Sequence, residues 1–312
     1  MKIAFLAKHG CGDNQDEDAI SHALRQLGHE VTCLPENSRH RNVDPGLLNK
    51  LEGHDLLLFL KWPDTTSLAR AAAVLPCAYW HFDMIEPVDG DPTLSARSRH
   101  RLNWCGEVYP YVIAGFHTDG DYVNKVGGKL IHLPQGFDER QAAAPGTAPR
   151  QPGAAPVLFT GMINHGQRRA GHIQHLQSRW GRQFAVVGDG GGRYRYHGQA
   201  LAGLLQSARV VVAPSGPGTD SYWSNRVVLT CGLGGLLLHP RSSGLFFYYW
   251  PGEHLHYYLS EAHLDQLIEY YLDSPAKAEE MALAGHHRTL QANLYRHRCE
   301  QLIDAVKERT NG

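Results

Sequence analysis

The chain has 312 residues, enough for two domains of ordinary size, and its formal net charge of -1 gives it no whole-chain attraction to nucleic acid. Hydrophobic residues make up 42% and charged ones 20%, the balance of a soluble globular protein, and no apolar run approaches a membrane span in length. Six cysteines (Cys11, Cys33, Cys77, Cys105, Cys231, Cys299) lie scattered without a Cys-x-x-Cys pair, which argues against a disulfide framework or structural zinc and for a reducing, cytoplasmic setting.

Residues 2–7 (KIAFLA) read as a buried strand followed by a glycine turn rather than a signal peptide. Residues 16–27 carry helical spacing through Ala19, Ile20, Ala23, Leu24 and Leu27, Gly28 ends that helix, and a second strand starts at Glu30. Gly10-x-Gly12 suggests a dinucleotide fingerprint. The third glycine is Gln15, however, and the second strand does not end in an acidic residue, because Glu36 lies beyond Pro35; NAD is set aside. Residues 56–60 and 77–83 are further strands, ending in Lys61-Trp62 and His81-Phe82-Asp83, polar groups placed where parallel sheets bind ligands. Residues 109–115 and 129–134 complete a first sheet, with a short helix over 119–126. The Pro/Gly/Ala-rich segment 141–156 reads as a linker, dividing domains 1–143 and 144–295.

A second strand–helix series follows. Residues 157–161 are a strand ending in Gly161, and Arg168-Arg169 precede a helix running to about Trp180. Residues 184–188 are a strand ending in Gly188, Asp189 and more glycines; this run is either a flexible turn or a pocket wall that lets a base or ribose approach the backbone. A helix over 201–207 leads to a strand at 208–212 and then to APSGPGTDSYWSNRVVLTCGLGGLLLHPR, residues 213–241. This stretch reads as polar glycine loop, helix and strand. The start of its helix, Ser224-Asn225-Arg226, combines unpaired N–H groups with a guanidinium fork and suits a diphosphate, though an ordinary capped helix with an exposed arginine has the same pattern. Residues 245–259 are rich in aromatics, and helices are expected over 262–272, 275–284 and 289–307. Among the 20 histidines, His172 with His175 and His254 with His256 could share faces, but neither pair brings a third ligand, so packing is expected and no metal.

With these motifs in place, the second half resembles the donor domain of GT-B glycosyltransferases: FTG, the Arg pair, VVGDGGG, the 213–241 stretch, PGEHLHYY, DSP and LYRHR. The likeness is closest to the group-1/CgeB-like branch of bacterial and phage genomes. KHGCGDNQDEDAI, AYWHFDM and KLIHLPQGFDE resemble its acceptor domain. The resemblance implies an α/β protein of two Rossmann-like domains facing a cleft, with a C-terminal helix, about 296–312, crossing back to the first domain. It implies a nucleotide-sugar donor, here a UDP-sugar, and no other cofactor. Carried over residue by residue, the donor set is Gly12, Asp13, Gly161, Arg168, Arg169, Gly188, Asp189, His197, Ser224, Asn225, Arg226 and Val227. Leu229 stands where many relatives have a ribose-holding Glu.

GT-B transfer needs charge stabilisation on a leaving diphosphate, which a helix start plus arginines can supply without a metal. An inverting reaction also needs a base for the acceptor hydroxyl. Asp13, Asp16, His81 and Asp83 are available; Asp16 comes first and Asp83 next, while Asp16 could equally be a helix-start acid that complements the dipole. Two alternatives stand beside transfer to an unspecified hydroxyl. One is a DNA glycosyltransferase acting on hydroxymethylated bases, using the basic and aromatic stretch of Arg97, Arg99, Arg101 and Trp104. The other is a degenerate nucleotide-sugar binder without turnover, for which Leu229 speaks.

Overall fold

In the computed structural model the described residues are 1–9, 15–35, 46–60, 70–82, 113–114, 131–149, 151–161, 163, 168–188, 196–214 and 223–310. The chain divides into two compact units, one built from Met1–Pro87, Asp91–Gly136 and Tyr295–Gly312, the other from Phe137–Leu294.

The first unit holds a five-stranded parallel sheet of order β2-β1-β3-β4-β5, from β1 (Lys2–Ala7), β2 (Glu30–Pro35), β3 (Leu56–Leu60), β4 (Cys77–His81) and β5 (Ile113–Ala114). β3 is apolar and buried at every position, as a strand covered on both faces must be. Helix α1 (Gln15–Gln26) presents Ala19, Ile20, Ala23 and Leu24 to this sheet; full burial of side chains such as Ile20 and Leu24 contributes about 1.5–3 kcal/mol each. Asp16, Glu17 and Asp18 in its first turn complement the helix dipole. A short helix, α2 (Leu47–Lys50), precedes β3. The same core takes in Tyr295, Cys299, Leu302, Ile303 and Val306 from the end of the chain.

The second unit repeats the plan. Its parallel sheet runs β10-β9-β8-β6-β7, from β6 (Val157–Thr160), β7 (Phe184–Val187), β8 (Val210–Val212), β9 (Leu237–Pro240) and β10 (His256–Tyr258). Helices α3 (Arg168–Trp180) and α6 (Glu261–Asp273) cover one face through Ile173, Leu176, Leu264, Leu267 and Ile268, packed on Val157, Phe159, Val210, Val212, Leu236 and Leu238. Among the described residues the remaining α-helices of this unit are α4 (Gly198–Ser207), α5 (Arg226–Gly232) and α7 (Pro275–Ala292), and α5 packs against α7. The last helix, α8 (Tyr295–Thr310), belongs to the first unit.

Several boundaries differ from the sequence reading. The division between units falls at Gly136 and Phe137, and the start of the segment read as a linker is packed into the second unit. Ala143 and Ala148 are buried there; Gln206 donates to the carbonyls of Ala143 at 3.2 Å, Ala144 at 3.0 Å and Leu233 at 2.8 Å, and accepts from Ala148 N at 3.1 Å. Pro and Gly exclude regular structure, not packing, when one amide side chain satisfies the backbone. The fifth strand described in the first sheet is Ile113–Ala114, within the expected 109–115, and of residues 131–134 only His132 carries a bridge. The C-terminal helices break at Asn293, whose Nδ2 donates to the carbonyl of Tyr248 at 3.3 Å, rather than between 284 and 289. The aromatic stretch hides an edge strand, β10, whose Tyr258 packs inward. The expected helix over 119–126 lies outside the described residues.

Candidate functional site

In the second sheet the winding reverses at β6: β7 lies on one side of it and β8 on the other. In open parallel sheets the crevice beyond the carboxyl ends at such a reversal is where ligands bind. Gly161 follows β6, Gly188 follows β7, Ala213 and Pro214 follow β8, and His239 sits near the end of β9. Arg169, in the first turn of α3, donates from Nε to the carbonyl of Pro214 at 3.2 Å, linking the segments that follow β6 and β8.

Arg226 is the charged centre of this edge. Its Nε donates to the carbonyl of Thr160 at 2.5 Å, its Nη1 to the Ser224 hydroxyl at 3.4 Å, and its guanidinium lies 5.0 Å from the centroid of the Phe159 ring. The backbone of Gly161 is pressed against the same group: a Cβ there would lie 2.6 Å from Arg226 Nη2, at a φ of +135° that favours glycine. Gly188, at φ +109°, closes on Gly161 in turn; its Cβ would stand 3.2 Å from the Gly161 nitrogen. The N–H of Gly161 meanwhile bonds the carbonyl of Val187 at 2.9 Å. Two side-chain-free strand ends thus sit beside a guanidinium held in place by a carbonyl and an aromatic face.

The helix start contributes less than its sequence suggests. α5 has seven residues, its preceding Asn225 has right-handed helical φ and ψ with no side-chain cap bond, and the N–H of Val227 is taken by the carbonyl of Ser224 at 3.0 Å. Val227 itself is fully buried, so its side chain belongs to the core. Leu229 is half-buried on the same helix. His197 is exposed at the start of α4 and makes no side-chain cap bond. Arg168 opens α3, but its side chain, like Gly12, Asp13, Asp83 and Asp189, lies outside the described residues, as does the His81 side chain. The structure therefore brings together Gly161, Gly188, Ser224 and Arg226, with Arg169 alongside.

The sequence reading overlooked His239. Its ring is buried, and Nδ1 donates to the carbonyl of Pro240 at 2.7 Å. Burial foremost, with the Arg226 charge adding to it against that hydrogen bond, pushes the ring from its ordinary 6.5 down to about 4. A buried polar residue closing an apolar strand, Leu237-Leu238-His239, was the available signal.

Asp16 lies in the first unit and is occupied differently. Its carboxylate accepts from the Tyr295 hydroxyl at 2.7 Å and from Gln135 Nε2 at 3.2 Å. Burial and the Asp16 charge hold the Tyr295 phenol well above its usual range, so it stays a donor. Asp16 thereby fastens the two segments at whose ends the chain passes between units, next to Gly136 and at Tyr295.

Two further features lie elsewhere. A cavity of about 580 Å³ lined by Gln206, Arg209, Gly234, Leu236 and Glu279 opens at the amino ends of β8 and β9, the sheet edge opposite the glycines. His172 and His175 face acids of α6: His175 meets Asp265 at 3.0 Å and Glu261 at 3.4 Å, and His172 meets Glu261 at 3.3 Å. Among the described residues no cluster suited to a metal ion occurs, and no helix is long and apolar enough to cross a membrane.

Residues 168–304 match the family model described as glycosyl transferase-like, a span that includes α3, α5, Arg226 and β9. Solved structures cover nearly the whole chain. Anabaena HepE in complex with UDP and glucose shares 14% identity over 98% of this chain and 99% of that one, with a TM-score of 0.67. Sucrose-phosphate synthase from Thermosynechococcus elongatus shares 13% over 99% and 98%, at 0.66. The catalytic domain of Arabidopsis thaliana starch synthase IV, bound to ADP and acarbose, shares 9% over 100% and 99%, at 0.68. The chain has the GT-B fold, and most of its second half is similar to the glycosyl transferase-like family. No match was found among curated proteins. The matched segment includes Arg226 and Arg169, while Gly161 follows the strand just before it.

Proposed function

We propose that the protein transfers a sugar from a nucleotide diphosphate sugar, a UDP-sugar, to an acceptor hydroxyl without a metal ion. The observation that carries this reading is the guanidinium of Arg226 set against Gly161 and Gly188 at the reversal of the sheet. A diphosphate needs positive charge and close backbone approach. The arginine supplies the first and the two glycines permit the second. Solved neighbours with this fold hold UDP or UDP-glucose, which supports uridine as the donor base.

In the transfer the acceptor oxygen attacks the anomeric carbon, the bond from that carbon to the β-phosphate oxygen breaks, and UDP leaves with the electron pair. Arg226 stabilises the charge that grows on the leaving diphosphate. In an inverting course Asp83, just beyond β4, takes the acceptor proton. Asp16, whose two oxygens already accept hydrogen bonds within its own unit, is assigned to anchoring instead. Gly12, Asp13, Arg168 and Asp189 complete the proposed donor contacts. The order of the motifs in the second half supports placement in the group-1/CgeB-like branch, and the cysteine usage supports a cytoplasmic location. The basic stretch behind the DNA-acceptor alternative lies outside the described residues.

The test is release of UDP from UDP-sugars in the presence of EDTA, joined to calorimetry with UDP. Saturable binding and UDP release in chelator support the reading; absence of binding by UDP, GDP and dTDP species removes it.

A further inference from the structure

His239 is a polar group at the same sheet edge that the proposed function leaves unused. The residue is 2% exposed. The carbonyl of Pro240, 2.7 Å from Nδ1, can only accept, so Nδ1 carries the ring proton and Nε2 is the bare nitrogen. Nε2 has no hydrogen-bond partner among the described residues.

The direction of the side chain follows from the pleat. Leu236 and Leu238 face the core under α3 and α6, so Leu237 and His239 face the other side of the sheet, and α5 contacts β9. The charge of Arg226 reaches the ring, and burial keeps it neutral at ordinary pH.

A bare imidazole nitrogen selects its partner by chemistry. Phosphate oxygens are acceptors and are repelled by its lone pair; a hydroxyl is welcomed. In a nucleotide diphosphate sugar, the groups flanking the diphosphate on either side, the ribose and the transferred sugar, both carry hydroxyls. We propose that His239 Nε2 accepts a hydrogen bond from one of these hydroxyls, which makes His239 a specificity-determining residue of the donor site. This rests on the proposed function, and it gives the site a hydroxyl acceptor where Leu229 offers none.

The test is calorimetry of UDP and UDP-glucose on wild-type protein, His239→Leu and His239→Gln. Leu removes the acceptor, while Gln returns one on a side chain of similar reach. His239→Leu is expected to weaken binding about ten-fold, the weight of one neutral hydrogen bond, and His239→Gln to recover most of the loss. Weakening of both ligands assigns the ribose; weakening of UDP-glucose alone assigns the transferred sugar. Unchanged affinities in a folded Leu variant overturn the proposal. A measurement without mutation guards against misfolding: the ¹⁵N resonance of His239 Nε2 is expected to move when wild-type protein is saturated with UDP-glucose, and a fixed resonance overturns it. If wild-type protein binds neither ligand, the proposed function itself fails and takes this inference with it.

Discussion

Each unit is a five-stranded parallel sheet of the same strand order, and each has an ionic residue at the start of a helix packed on that sheet. The two are used in opposite ways. Asp16, at the start of α1, is bonded through both oxygens to Tyr295 and Gln135, residues distant in sequence but neighbours in the first unit. Arg226, at the start of α5, is held through its Nε and by the Phe159 face, which fixes the plane of the guanidinium beside two glycine strand ends. The carboxylate binds its own unit together, whereas the guanidinium is oriented at the sheet edge proposed for the diphosphate. Position at a helix start thus says little about role. The partners decide it.

Changes at the two positions should separate these roles. The largest effect is expected at neither. If Asp16 anchors α8, the base of an inverting transfer lies elsewhere, and Asp83→Asn should lower kcat by about 100- to 10,000-fold with little change in donor affinity. Full activity in that variant would remove Asp83 from the mechanism. Next, Arg226→Ala should weaken UDP binding by about 100-fold, the scale of two charge-assisted hydrogen bonds, as calorimetry would read directly. Arg226→Lys should recover only part, because an ammonium keeps the charge and loses the fork.

Asp16→Ala should cost about 2–4 kcal/mol of stability, since it leaves the buried Tyr295 hydroxyl and the Gln135 amide without their acceptor. Denaturant unfolding would show it, with turnover per folded molecule unchanged. The reverse, wild-type stability with lost kcat, would return Asp16 to catalysis and dissolve the contrast with Arg226. The smallest effect concerns pH. Because the folded-state pKa of His239 is depressed from 6.5 to about 4, the folded protein binds fewer protons than the unfolded chain in that window. Its contribution to stability is complete above 6.5 and declines as pH falls toward 4. His239→Gln should flatten that part of the acid limb relative to wild type; identical limbs would show that the ring is not held neutral.

Much of this was legible in the sequence because burial writes itself into composition. The runs at 2–7, 56–60 and 157–160 are largely apolar on both faces, which a two-sided parallel sheet requires, and Gly161 and Gly188, after the strands at 157–160 and 184–187, stand where a side chain cannot fit. Arg226 could be named from its place at a helix start, and Gly161 and Gly188 from the glycines that close their strands and from the family resemblance. Other features depend on contacts that local pattern does not encode. The 2.7 Å bond from Tyr295 to Asp16 spans most of the chain, and no periodicity announces it. Residues 141–149 have the composition of a linker, and contacts far along the chain, those of Gln206 foremost, make them part of a packed unit. His239 was missed because its meaning lies in the neighbouring Pro240 carbonyl and the charge of Arg226. β10 was hidden because an edge strand of three residues among aromatics shows no alternation.

The most direct measurement is a crystal structure of the protein with UDP. The diphosphate should lie at the carboxyl ends of β6 and β7, with its oxygens within hydrogen-bond reach of Arg226 and against Gly161 and Gly188. A nucleotide seated elsewhere, for instance in the cavity beside Arg209 at the opposite edge of the sheet, would contradict the account at its root.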